Sequence, residues 1–349
     1  MFAQPLYRTY RRYRSLQTNR ISALPILILM PHSACNCRCL MCDIWKDNRN
    51  LRQLTEKDIA GLLDSLEILG TQQVVMSGGE ALLNNRFFEL CAILKSRDIH
   101  ITLLSTGLLL GRHADALLRW VDDIIVSLDG NEAVHDHIRN TPGAFRKLEQ
   151  GVQLLKTLQP GYPITARTVI HKNNFRIWPD IIATAQAIGL DRISFLPADT
   201  TSHAFNRQQT WDTERQMEVL PSVEELPLLQ EVINLLVRDH YDYFTHGFIA
   251  ESPQKLQMIH DYYRAAYGEH PYPAKKCNAP WVSAVVEADG SVRPCFFHDT
   301  VGNIHEQELA TIINGEKAYR FRKELDMDAN STCQRCVCYL NLSPHTPIV

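Results

Sequence analysis

The 349-residue chain is 45% hydrophobic and 21% charged, a globular composition long enough for one large core and a small second unit. A formal net charge of -3 excludes any general electrostatic pull toward nucleic acid or anionic membranes. Ten cysteines, no opening signal peptide and no apolar run of membrane-spanning length predict a cytoplasmic protein that ligates metal rather than a disulfide scaffold.

In chain order, residues 1–23 form a basic arm. Arg8, Arg11, Arg12, Arg14 and Arg20 interleave with Tyr7, Tyr10 and Tyr13, with no acid. A solvated arm or a helix packed on the barrel is one reading, and a docking surface for an acidic substrate or membrane the other. Residues 26–30 are an apolar run closed by Pro31 and read as a buried strand. Next comes Cys35-Asn36-Cys37-Arg38-Cys39-Leu40-Met41-Cys42, where Cys35, Cys39 and Cys42 keep a C-x3-C-x2-C spacing. Three thiolates hold three irons of a [4Fe–4S] cube and leave the fourth open to a ligand. A zinc knot is the alternative. Cys37 is off the spacing and reads as a non-ligand.

Thr55 and Asp58 predict a capped helix through Leu69, stopped by Gly70. A strand over 73–76 ends in Ser77-Gly78-Gly79-Glu80, and the following helix carries Phe87, Leu90, Cys91 and Leu94 on one apolar face. Strands over 99–105, 123–128, 164–170 and 193–196 then alternate with helices over 110–120, 144–158 and 175–188. A strand–helix unit about every 25–30 residues predicts an α/β fold, a partial (β/α)6 TIM-like barrel over residues 24–199. The loops after such strands form the active face. The cysteine loop, the Gly78-Gly79-Glu80 turn and the Ser127-Leu128-Asp129-Gly130 turn all fall there. Residues 200–276 read as a helical, aromatic region covering the barrel, with Leu226, Leu229, Ile233 and Leu236 on one helix face. His240, His246 and His260 in it read as surface or core residues. A second cysteine set occupies 277–349. A hairpin around Asp289-Gly290 brings Cys277 and Cys295 together, and Cys333-Gln334-Arg335-Cys336 completes a four-thiolate site, with zinc the structural alternative. Cys338 is spare.

These blocks, in this order, resemble the radical S-adenosylmethionine (radical SAM) superfamily, with a C-terminal unit similar to the SPASM or twitch appendages. The resemblance covers roughly residues 24–340, with 200–276 unmatched in detail. It implies SAM on the open iron of a [4Fe–4S] cluster held by Cys35, Cys39 and Cys42. Gly78, Gly79 and Glu80 would meet its amino group, although Ala81 stands where the family usually has Pro. Ser127 and Arg139 would hold its carboxylate, and Asp129 its ribose unless it only caps the turn. Met41 would pack on the adenine, with Leu196 a second apolar wall. Cys277, Cys295, Cys333 and Cys336 would hold one auxiliary [4Fe–4S] cluster.

The implied activity is reductive cleavage of SAM to a 5′-deoxyadenosyl radical that takes a hydrogen atom from substrate, with an external electron donor such as flavodoxin or ferredoxin. Oxidation, crosslinking or epimerisation of a peptide or natural product is the leading expectation, with Cys338 a candidate hydrogen-atom donor. The alternative substrates are small metabolites: a sugar, an aminocyclitol or a lipid headgroup. About 23 residues before the first strand are too few for the leader-binding domain of some peptide-modifying relatives. A non-enzymatic iron–sulfur or zinc redox scaffold is the rival of another class. It has no need of the glycine turn or of Ser127 and Arg139.

Overall fold

Six short apolar strands lie side by side in parallel: β1 (Ile26–Leu29), β2 (Gln73–Met76), β3 (His100–Ser105), β4 (Asp123–Ser127), β5 (Ile164–Ile170) and β6 (Arg192–Pro197). The computed structural model describes residues 3–203, 207 and 209–348. Helices α1 (Ala3–Thr18), α2 (Glu56–Leu69), α3 (Phe87–Lys95), α4 (Ala114–Trp120), α5 (Glu132–Arg139), α6 (Ala144–Leu158) and α7 (Trp178–Ala187) precede or alternate with them. The strands sort their side chains by the two-residue period. Leu27, Leu29, Val74, Met76, Ile101, Leu103, Ile124 and Val126 are buried in the main core. The alternate set, Ile26, Ile28, Val75, Leu104, Ile125, Ser127 and Arg167 among them, lines a cavity. The partial barrel thus has a packed outside and an open inside.

Helix ends follow the local chemistry. At the start of α2 the Thr55 side chain accepts from Asp58 N while Asp58 accepts from Thr55 N, and Gly70 closes the helix in the left-handed region at φ 61°. The helices expected over 110–120 and 175–188 each open with a single 3-10 turn, Gly111–His113 and Phe175–Ile177. Cys91 is fully buried in the core, as its helix face predicts.

One feature went unread in the sequence, and one reading left open there is decided by the structure. The first is β7 (Ser283–Val286), which pairs in parallel with β1 through Ile26↔Ser283 and Leu29↔Val286. Strand β8 (Ser291–Arg293) and the two-residue β9 (Gly302–Asn303) continue it antiparallel. The sheet order is therefore β6-β5-β4-β3-β2-β1-β7-β8-β9, and the C-terminal cysteine unit extends the barrel sheet. The second is the seating of α1. Arg12 is buried and donates to Thr346 O and Gln72 Oε1, both at 2.6 Å; Arg11 donates to Ser22 O and Ile68 O; Arg20 lies over the Tyr319 ring. The packed helix is what the structure shows, while Tyr7, Tyr10 and Tyr13 face outward.

Helix Pro253–Ala266 packs on β6, and helix Leu226–Asp239 packs against that helix. Tyr263 ties the first to the sheet: its Oη accepts from Ala198 N at 2.9 Å and donates to Ile170 O, joining the ends of β5 and β6. No helix among the described residues is long and apolar enough to cross a membrane.

Candidate active site

The cysteine loop is gripped from three sides. From β2, Glu80 N donates to Ala34 O at 2.9 Å. A Cβ on Gly79 would lie 2.1 Å from that same carbonyl oxygen, and Gly78 sits at φ +113° with a built Cβ 3.0 Å from His32 O. Only glycine fits either place. From α5, Arg38 N donates to Arg139 O and Leu40 N to Ile138 O, both at 3.0 Å. From the cover region, Arg207 Nη2 donates to Met41 O at 3.2 Å and Arg215 Nη2 to Leu40 O at 2.6 Å. Both guanidinium groups lie against the Trp211 ring, at 4.1 and 4.5 Å, and Trp211 Nε1 donates to Asp43 Oδ2 at 2.8 Å.

Cys35, Cys39 and Cys42 line the cavity, as do Met41, Gly78, Gly79, Ser127, Arg139 and Leu196. Two expected contacts lie elsewhere. Glu80 is fully buried off the cavity wall, where its carboxylate accepts from Thr106 N at 2.8 Å and lies within reach of the Ser105 and Thr106 hydroxyls. Burial raises its pKa, and those donors work against the rise. Asp129 is likewise buried behind the wall, with Oδ2 accepting from Arg139 Nε at 2.6 Å. Its role in the structure is to aim the arginine. Arg139 Nη1 in turn stands 3.5 Å from Cys39 Sγ.

The thiols respond to this setting. Burial pushes Cys35 up to about 12 and raises Cys42. Cys39 moves the other way, because it accepts a hydrogen bond from Cys37 and faces Arg139. Without a metal Cys35 and Cys42 keep their protons; bound iron would draw the protons off all three thiols.

The second thiol set shares the same cavity. Cys277, Cys295, Cys333 and Cys336 all line it, and Cys338 opens onto it. Cys333 feels the charges of both Cys277 and Cys295, and Cys336 that of Cys295. Burial raises Cys295 and Cys333 to about 11. Lys275 Nζ donates to Gln334 O and Cys336 O, both at 2.6 Å, pinning the loop between the last two thiols. His298 Nε2 lies 3.3 Å from Cys333 Sγ.

The donor sets fit iron–sulfur clusters. Among the described residues no three Cys, His, Asp or Glu side chains converge tightly enough to hold one ion. Both thiol sets line the cavity wall, and a cluster takes a different thiolate at each iron. The chemistry is all-sulfur in both places.

Sequence reasoning missed Asp199, Arg207, Trp211 and Arg215, which buttress the cysteine loop, and Lys275. His240, His246 and His260 stay off the cavity wall.

Comparison with known proteins agrees with this geometry. The Radical SAM superfamily model matches residues 29–195, and the SPASM iron–sulfur cluster-binding domain model matches residues 277–337. The chain belongs to the radical SAM superfamily. It is a radical SAM enzyme with a SPASM domain, and its cofactors are SAM, a [4Fe–4S] cluster and an auxiliary iron–sulfur cluster. Similar proteins include the Fe-coproporphyrin III synthase of Methanosarcina barkeri, 25% identical over 89% of this chain and 80% of that one. The PqqA peptide cyclase of Xanthomonas campestris is 26% identical over 90% of this chain and 79% of that one. Among solved structures, Streptococcus suis SuiB bound to the precursor peptide SuiA overlays with a TM-score of 0.65 at 15% identity, covering 95% of this chain and 76% of SuiB.

Proposed function

We propose that this enzyme abstracts a hydrogen atom from a ribosomal peptide and oxidises it, with Cys35, Cys39 and Cys42 holding the SAM-cleaving cluster and Cys277, Cys295, Cys333 and Cys336 the auxiliary one. The observation that carries the reading is that both thiol sets open onto one cavity of about 1930 Å³. That is roughly twice the upper end of an ordinary small-molecule pocket. It has room for SAM and the clusters beside an extended segment of chain.

When bound, the cofactors supply the 5′-deoxyadenosyl radical and a sink for the electron left on substrate. The protein's work is placement and dryness. Gly78 and Gly79 let the β2 end approach the SAM amino group without a side chain between. Ser127 offers a hydroxyl and Arg139 its cavity-facing N–H groups to the SAM carboxylate. Met41 and Leu196 give the adenine apolar walls. Ile26, Ile28, Val75, Leu104 and Ile125 keep water from the reacting carbon. Cys338 is the candidate hydrogen-atom donor if the reaction is an epimerisation.

A tetrapyrrole is the rival substrate, since the Fe-coproporphyrin III synthase is as similar as the peptide cyclase. The recurrence of PqqA peptide cyclases among the similar proteins favours the peptide. The test is co-expression with short peptides encoded beside the gene, followed by mass spectrometry. Loss of two hydrogen atoms from such a peptide is expected. Formation of Fe-coproporphyrin III from an added tetrapyrrole precursor, with the peptides unchanged, would overturn the reading.

A further inference from the structure

The three thiols of the cysteine loop are not equivalent. Cys39 alone of the three takes a cationic donor at a stated distance, Arg139 Nη1 at 3.5 Å. The arginine has little freedom to leave. Its Nε is held by Asp129 at 2.6 Å, and its own carbonyl accepts from Arg38 N at 3.0 Å, so main chain and side chain grip the same loop. Asp129 is fixed in turn: its N donates to His135 Nδ1 at 3.2 Å and its carbonyl accepts from Asn174 Nδ2 at 3.1 Å.

Donors aimed at a cluster sulfur withdraw charge from it and stabilise the more negative, reduced cluster. We infer that Arg139, anchored by Asp129, is a positioning residue that raises the reduction potential of the SAM-cleaving cluster through its hydrogen bond to Cys39. This role stands beside any contact of Arg139 with the SAM carboxylate. It rests on the assignment of that cluster to Cys35, Cys39 and Cys42, which iron loss in the Cys35/Cys39/Cys42→Ala variant checks separately.

The test is an EPR-monitored redox titration of the anaerobically reconstituted full chain, without SAM. The signal of interest is assigned by subtracting the triple-alanine variant, and the auxiliary signal and total iron report folding. Arg139→Lys keeps the charge but loses the fork, so a shift there reports the bond. It should lower the potential by the equivalent of about a tenfold change in the reduced-to-oxidised ratio, 59 mV for a one-electron couple. Arg139→Gln, which removes the charge as well, should lower it further. A wild-type potential in both Arg139→Lys and Arg139→Gln overturns the inference, whatever either variant does to SAM binding.

Discussion

Gly79 shows how one missing side chain sets the site. Its Cα faces Ala34 so closely that a methyl would overlap the carbonyl carbon as well as its oxygen, at 2.6 and 2.1 Å, and both are backbone atoms that cannot swing aside. Gly79→Ala should therefore push the cysteine loop off β2. The expected result is loss of the SAM-binding cluster's EPR signal with the auxiliary signal retained. Full loading of both would show that the loop can yield. Two residues behind the wall make a pH prediction. His135 and His171 are fully buried, and burial lowers both to about 4 from the usual 6.5. Asp129 pulls each of them up and Arg139 pushes each down, with smaller effects from Asp136 on His135 and His137 on His171. The folded-state values lie below the unfolded ones, so the unfolded chain binds protons that the fold refuses. Stability is full above pH 6.5 and declines as pH falls toward 4, by up to about 3 kcal/mol per histidine. His171→Asn should lose less stability than wild type between pH 7 and pH 5 in urea melts. Equal losses would mean that His171 gains its proton in the fold at little cost.

At the scale of elements, what was legible in the sequence was local. The Thr55/Asp58 box, the Gly70 stop and the alternation of strand and helix depend on neighbours in the chain, and they appear where the residues put them. The thiol spacings carried the site for the same reason. Pairing of β7 with β1 was not legible. Ser283–Val286 is four residues long and wholly buried, with no alternation to betray its neighbours, and its partner lies far back in the sequence. The arginine–tryptophan stack under the cysteine loop was hidden likewise, because nothing in residues 207–215 says which carbonyls their guanidinium groups will meet. The β7 pairing has a measurable consequence. Val285 sits between β1 and β8, where proline removes a ladder donor from a central strand. Val285→Pro should unseat the hairpin that carries Cys295 and cost the protein its auxiliary iron. A variant with both clusters intact would mean that the hairpin holds without β1.

On the scale of the whole molecule, the shared sheet makes the two thiol sets walls of one chamber. With β7 hydrogen-bonded to β1, Cys277 and Cys295 line the same cavity as Cys35, Cys39 and Cys42, with Arg167, Glu251 and Lys255 also on its lining. On the proposed cluster assignment, a substrate carbon placed there shares one enclosure with the radical's source and an electron acceptor. That arrangement separates two events that a single-cluster enzyme would have to join. Under the proposed function, hydrogen abstraction needs only the first thiol set, whereas net oxidation of substrate needs the second. In a Cys333→Ala/Cys336→Ala variant that keeps its fold, SAM should still be cleaved and 5′-deoxyadenosine released, while the oxidised product disappears. Deuterium from a labelled substrate should then appear in 5′-deoxyadenosine without a matching product. If this variant instead forms product at the wild-type ratio to 5′-deoxyadenosine, the second set is structural and the electron leaves by another path. Cys338 then becomes the group to change next. Its thiol opens onto the same chamber, and solvent deuterium entering a product of unchanged mass would mark it as the donor in a redox-neutral epimerisation.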